Sequence, residues 1–475
     1  MTEASSSTIV ARNASWLIAQ TVFTSIFGIV VTAVVARALG ATDYGRILIV
    51  LSYVAIFGPI SSLGTRTYCV REIAASPASA PRLVAHMILL RVPLSLAGAA
   101  LAFGFAHLSG DLGSSVLSAF LAAQLVLVAV GGCFMDGLYG TEHIKLAALT
   151  EAIASALTQV ASLAAVFLGA GVDGIVMAYL VGSAATAVIA FAWFTRRVGS
   201  PAFEGWNSSL WYHVWESRVF FIQALLMTLR QRLDLIVVNS LMGAHAAGLY
   251  GVARGLTDRI DFLHVGVSSA LYPRVATLHE RGSGEVRLVV RNTVRLMFAL
   301  SAAIAVGLFG TSDAIIRIIF GPEFEMSAPV LRILCLGVPL IFVYALVFTV
   351  LRAIREEALV LKGTAVALAA WLAASVPAIH YGGIEGAAWA YIGGATVNAA
   401  ILIAAYWRRY GSPLGAADFL KVVAANLVMG AWLYASREWS LALRIPVAIG
   451  AYMLIVGGTG VMTLAMLKGV LARGR

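Results

Sequence analysis

The chain has 475 residues, 60% of them hydrophobic and 12% charged, with a formal net charge of +10 and a mean hydropathy of +0.91. Soluble domains are about 25% charged, so this composition argues against a soluble enzyme and for a membrane protein. The basic residues are dispersed in short loops between apolar runs, where they set membrane orientation, so the positive charge does not point to nucleic acid.

Apolar runs of about 20 residues can cross a hydrocarbon core of about 30 Å, and they recur along nearly the whole chain. In lipid, unsatisfied backbone leaves helix as the form for such runs, which predicts an all-α polytopic protein of fourteen spans. The first six cover 14–36, 47–65, 86–106, 113–138, 147–169 and 174–195. The first run is too long for a cleaved signal core and is expected to stay in the membrane. It carries Gln20, Thr21, Thr24 and Ser25, and Arg37 closes its outer end. Arg46, Arg66 and Arg91 flank the second and third spans. Pro59, within FGPIS, removes a backbone hydrogen bond and is expected to kink the second. Asp136 and Glu151 fall near span ends, where solvation is expected. Cys69, Cys133 and Cys335 form no CxxC pattern and read as small apolar fillers rather than disulfide or metal ligands.

The remaining spans cover 218–241, 248–272, 292–310, 328–351, 359–380, 384–407, 418–436 and 445–468. Loops on one side hold Arg66, Arg71, Arg82, Lys145, Arg196 and Arg197, and then the basic residues between 274 and 291, 352 and 362, and 408 and 421. The opposite loops hold only Arg37, Arg46, Arg317, Arg437 and Arg444. This bias of roughly four to one predicts that both termini face the cytoplasm.

Two stretches repeat. GVDGIVMAYLVGSAATAVI (Gly171–Ile189) aligns without gaps to GIEGAAWAYIGGATVNAAI (Gly383–Ile401), an offset of 212 residues. LGATDYG (Leu39–Gly45) aligns more weakly to MGAHAAG (Met242–Gly248), an offset of 203. Together they predict a duplicated six-helix unit: a first lobe over 1–200, a second over 201–412, and two extra helices over 413–475. Parallel repeats of this kind characterise transporters that rock two lobes about a central site.

Charge inside a membrane is costly and marks functional sites. The seventh span contains Arg230, Arg232 and Asp234. Arg230 lies about twelve residues from the span's start, roughly 18 Å at 1.5 Å per residue, near mid-bilayer. Arg230 and Asp234 share a face at i, i+4, and Arg232 points elsewhere. The eighth span carries Arg254, Asp258, Arg259, Asp261 and His264, with Arg254, Asp258 and Asp261 on one face. Arg230, Arg232, Arg254, Arg259 and Arg37 are candidates for holding an anionic headgroup, since guanidinium forks match phosphate oxygens. Asp234, Asp258 and Asp261 are candidates for internal ion pairs or for ion coupling. Arg295 and Arg332 lie nearer span ends and are expected to snorkel.

RALGATDYGRILIV, GTRTYCVREIA, GLYGVARGL and IFGPEFEMSAPVLRIL, in this order and spacing, resemble polysaccharide-biosynthesis flippases of the Wzx type, relatives of lipid II flippases and drug-exporting MATE proteins. The resemblance implies two lobes around a cavity that opens alternately to each side of a bacterial inner membrane. It implies transport of a polyprenyl-pyrophosphate-linked oligosaccharide, an O-antigen, capsule or exopolysaccharide unit, with glycosyltransferases and a polysaccharide polymerase as partners. It implies no bound cofactor, with coupling to a proton or sodium gradient. The first span lacks the mid-helix arginine of lipid II flippases.

Two other classes remain. A MATE-like exporter of cations should have an acidic, aromatic cavity, whereas the embedded charge here leans basic. A membrane enzyme or scaffold of polysaccharide assembly is the other. HLSGD (His107–Asp111) has the HxxxD spacing of acyl transfer but sits in a short outer loop, and the chain has no DxD pair, P-loop or GxSxG motif.

Overall fold

The computed structural model describes residues 3–110, 115–203, 209–260, 262–282 and 284–461, with side chains at Thr24 and from Phe27 onward except at 209–211 and 262. The described residues form thirteen α-helices: α1 (Glu3–Ser62), α2 (Thr65–Ala75), α3 (Ala80–Leu108), α4 (Ser115–Gly140), α5 (Ile144–Phe167), α6 (Gly171–Arg197), α7 (Ser209–Asp258), α8 (Phe262–Glu280), α9 (Glu285–Phe320), α10 (Ser327–Ala353), α11 (Glu357–Tyr410), α12 (Ala416–Ala435) and α13 (Leu441–Gly458). Eleven helices are long and apolar enough to cross a membrane. Three of these eleven are two helices joined at a glycine, which makes fourteen stretches.

The joints explain why the sequence repeats where it does. Gly40 (φ 77°, ψ 172°) and Gly243 (φ 83°, ψ 174°) take nearly the same conformation, one that a side chain would oppose. They are aligned positions in the weaker repeat. Gly383, in the stronger repeat, also has positive φ, as does its counterpart Gly171.

Several boundaries differ from the hydropathy reading, among them α1, which begins at Glu3 rather than 14, and α9, which runs over Glu285–Phe320 rather than 292–310. The seventh helix begins at Ser209, before the apolar run. The eighth span is not one helix. It ends at Asp258 and resumes at Phe262. Thr257 Oγ1 donates to the Arg254 carbonyl at 2.8 Å, and the Ile260 N–H bonds Thr257 rather than the residue four back. Such side-chain-to-backbone bonds compete with helix continuation.

The chain packs into two compact units, 1–248 and 249–475. In the first, α4 lies against α3 and α6, and small residues set the distance. A Cβ on Gly131 would lie 3.3 Å from Ala187, and one on Gly137 would lie 2.5 Å from the Phe194 ring. Close approach of this kind is how membrane helices gain packing where lipid removes the hydrophobic drive. Met87, Phe134, Leu138 and Phe194 fill a core together with Cys69 and Cys133. All three cysteines are free and buried, and burial pushes the Cys69 thiol well above its usual range.

In the second unit α10 packs on α8, α9 and α11. The last two helices dock on α9 through Met429, Leu433 and Tyr452, whose hydroxyl donates to the Ala299 carbonyl at 2.7 Å. Large apolar side chains such as Leu108, Phe167 and Leu454 stand exposed, as lipid-facing positions of a multi-pass membrane protein do.

Candidate functional site

The first bend makes an unusual crossing. A Cβ on Gly45 would lie 1.9 Å from the Ala244 carbonyl oxygen, and one on Gly248 would lie 1.9 Å from the Ala41 carbonyl oxygen. These contacts exchange under the 203-residue offset, so equivalent backbones from the two repeats cross where only glycine fits. Thr42 Oγ1 and His245 Nδ1, also equivalent positions, lie 3.3 Å apart. Arg37 is exposed three residues before the Gly40 bend, and Arg46 pairs with Asp43 at 2.8 Å.

A polar cluster lies among the first unit's helices, and sequence reasoning underrated it. Asp136 is 1% exposed and Arg91 is 2% exposed. Arg91 Nη2 donates to Asp136 Oδ2 at 2.6 Å, and its Nε donates to Thr65 Oγ1 at 2.9 Å. Arg66 Nε stands 3.6 Å from the other Asp136 oxygen, and its guanidinium lies over the Tyr139 ring. Tyr139 in turn donates to Glu151 at 3.0 Å. The expectation of solvation therefore fails at Asp136, whereas Glu151 is half-buried. Neighbouring helices, not position along the helix, set the burial of Asp136. Two opposite charges inside adjacent apolar runs were the signal available in the sequence.

On α7, Arg230 and Arg232 are half-buried and Asp234 is buried, accepting from the Leu235 N–H at 2.9 Å. Arg230 lies thirteen residues before the Gly243 bend, about 20 Å along the axis, so it remains far from either end of its helix. Neither Arg230 nor Asp234 is without a partner.

In the second unit Arg254, 4% exposed, pairs with Asp258 as the i, i+4 spacing predicts. Its guanidinium stacks 4.1 Å from the centroid of the Tyr391 ring, and Tyr391 belongs to the stronger repeat. Cation–π stacking and a carboxylate leave this arginine strongly held. The polar face expected from 254 to 264 is interrupted. Arg259 sits in the break after Asp258, with its N–H 3.3 Å from the Gly255 carbonyl. Asp261 lies outside the described residues, and His264 packs against Phe342 on α8's side of the break. Of the residues near helix ends, Arg295 lies 3.6 Å from Asp418 and Arg332 pairs with Asp313.

The motif IFGPEFEMSAPVLRIL has a structural role. It buries Phe324 completely, and Ser327 Oγ donates to the Leu249 carbonyl at 2.7 Å at the start of GLYGVARGL. Asp111 of HLSGD lies outside the described residues, and His107 stacks on Phe103 in the last turn of α3. An apolar cavity of about 320 Å³ lies between α9, α12 and α13, lined by Ala303, Gly307, Leu433 and Tyr452 among others. No group of three or more His, Cys, Asp or Glu side chains that could hold a metal occurs among the described residues.

Eleven helices among the described residues that are long and apolar enough to cross a membrane, with charge held inside them, define a polytopic membrane protein. Residues 10–279 match the family described as polysaccharide biosynthesis protein. The chain belongs to that family, and the resemblance to polysaccharide flippases noted in its motifs holds. Residues 260–451 also match the lipid II flippase MurJ family. A probable low-salt glycan biosynthesis flippase, Agl15 of Haloferax volcanii, is 21% identical over 354 residues, 74% of each chain. Among solved structures, the lipid II flippase MurJ in an inward closed conformation matches with a TM-score of 0.73 at 15% identity, covering 96% of this chain and 99% of its own. An inward-facing MATE family transporter matches with a TM-score of 0.65 at 13% identity, covering 86% of this chain and 98% of its own. At these identities the structural likeness concerns the fold.

Proposed function

We propose that the chain moves a polyprenyl-pyrophosphate-linked oligosaccharide from the inner to the outer leaflet of a bacterial inner membrane by alternating access of two lobes. The observation that carries this reading is membership of the polysaccharide biosynthesis family, together with a fold shared over nearly the whole chain with a lipid-headgroup flippase. The chemistry agrees with it. Arg230 and Arg232 lie within an apolar helix far from its ends, where a pyrophosphate would find charge-assisted donors in a low dielectric. The apolar cavity on α9, α12 and α13 offers a place for a polyprenyl chain. Asp234 and Asp258 are the groups we assign to ion coupling, by protons or sodium. The cytoplasmic orientation of both termini rests on the four-to-one bias of basic loops. Glycan-assembling glycosyltransferases and a polymerase are the expected partners, and an O-antigen, capsule or exopolysaccharide unit is the expected cargo.

The test is purified protein in liposomes, given a fluorescent polyprenyl-pyrophosphate disaccharide and, separately, a fluorescent organic cation. Movement of the lipid probe supports the proposal. Movement of the cation alone, driven by a proton or sodium gradient, would replace it with the MATE-like reading that the second structural likeness favours. Neutral substitutions Arg230→Gln, Arg254→Gln and Asp258→Asn are each expected to lower lipid transport by about tenfold or more, equivalent to about 1.4 kcal/mol of differential interaction. Undiminished transport in all three would remove these residues from the site. Ala303→Phe, which fills the apolar cavity, is expected to slow a long-chain polyprenyl probe more than a short-chain one.

A further inference from the structure

We infer that the first unit holds a subsite for one uncharged sugar ring of the transported glycan, in the cavity between the second half of α1 and helices α3 to α6. The inference rests on the flippase reading and adds to it where the sugar, rather than the pyrophosphate, is held. The cavity measures about 310 Å³, at the lower end of small-molecule sites.

Its charges choose the ligand class. Arg66 and Arg91 are balanced by Asp136 and Glu151, all four on the wall. An anion would meet two carboxylates and a cation two guanidiniums, and the opposing pair is already bonded at 2.6 Å. A neutral polyol meets no such conflict, since its hydroxyls both donate and accept.

The remaining wall has the same bias. Ser61 is 3% exposed, and its hydroxyl has no hydrogen-bond partner among the described residues. A buried hydroxyl without a partner is unfavourable, and a ligand hydroxyl would satisfy it. Ser183 and Thr186 add two more hydroxyls from α6, the first accepting from Gln124 at 2.8 Å. Val128 and Met135 supply apolar surface for the C–H face of a ring. Gly132 lines the same wall, and a Cβ there would make ordinary contact with Arg91 Nη1 at 3.5 Å. Arg66, whose side chain is 65% exposed, stands at the mouth.

The experiment uses the full chain in liposomes with two probes, a polyprenyl pyrophosphate bearing a neutral disaccharide and the same lipid without sugar. The quantity read is the ratio of their transport rates. Ser183→Leu, which fills the cavity, is expected to lower that ratio at least tenfold. Thr186→Val, which removes a hydroxyl at nearly constant volume, is expected to lower it about threefold. Size-exclusion profiles and melting curves establish that each variant is folded, and Thr186→Val decides the matter if Ser183→Leu does not fold. An unchanged ratio in folded protein overturns the subsite. A third probe carrying a uronic acid tests the charge argument, and its preference over the neutral sugar would overturn the ligand class. If the unaltered protein moves neither lipid probe, the flippase reading fails and the subsite fails with it.

Discussion

Valine at Gly45 or Gly248 is expected to reduce transport by about tenfold or more, a loss that a bias of about 1.4 kcal/mol against one conformation would produce. The added Cβ would meet a carbonyl oxygen at 1.9 Å in either case. That oxygen belongs to the backbone of the facing bend, so no rotamer change relieves the overlap. Overpacking of this type costs about 1–3 kcal/mol even in adaptable cores. The crossing pairs aligned residues within the unit 1–248, and the transport proposed above would have one state make it and the other release it. Valine would therefore act against the joined state more than against the parted one. Cysteines at Thr42 and His245, whose side chains lie 3.3 Å apart, report on the crossing directly, because the three natural cysteines are buried. The T42C/H245C pair is expected to cross-link readily, and Gly45→Val to cut the yield severalfold while the protein stays in the membrane. Undiminished cross-linking together with undiminished transport would make the crossing passive packing.

This crossing also marks where the sequence could be read and where it could not. Helix number followed from hydropathy because a membrane permits few alternatives to helix for long apolar runs. The 203-residue match was weak in letters, yet it identified a shared backbone geometry. Gly40 and Gly243 share a bend, and Gly45 and Gly248 share a close approach. Such constraints fix a few glycines and leave the other positions free to diverge. The Arg254–Asp258 pair was legible because it is local, four residues along one helix. Its Tyr391 partner was not, being 137 residues away. The burial of Asp136 was illegible for the same reason. Its place near the end of α4 suggested water, but the helices that bury it are distant in sequence, and no count along a single helix can anticipate what packs beside it. The break after Asp258, between α7 and α8, is likewise a feature that hydropathy does not register.

Removing one member of the Arg91–Asp136 pair is expected to be among the most destabilising changes available to this chain. Arg91→Leu leaves the Asp136 carboxylate buried with only Arg66, 3.6 Å away and largely exposed, to offset its charge. Asp136→Asn leaves a guanidinium that is 3% exposed without its counter-charge. Breaking a buried pair from one side costs about 3–5 kcal/mol, whereas replacing both members by apolar groups is often nearly neutral. Each single variant is therefore expected to melt well below the unaltered protein in detergent, and the double variant Arg91→Leu/Asp136→Leu to recover most of that loss. Transport then separates two roles that stability alone would merge. If the pair only holds α3 to α4, the double variant transports as well as it melts. If the pair also presents Arg91 and Asp136 to a ligand in the adjoining cavity, the double variant is stable yet slow with a sugar-bearing lipid. The second outcome is the one expected, because both members of the pair line the cavity and Arg91 makes its bonds to two helices through Nε and Nη2, with Nη1 toward Gly132 on the same wall.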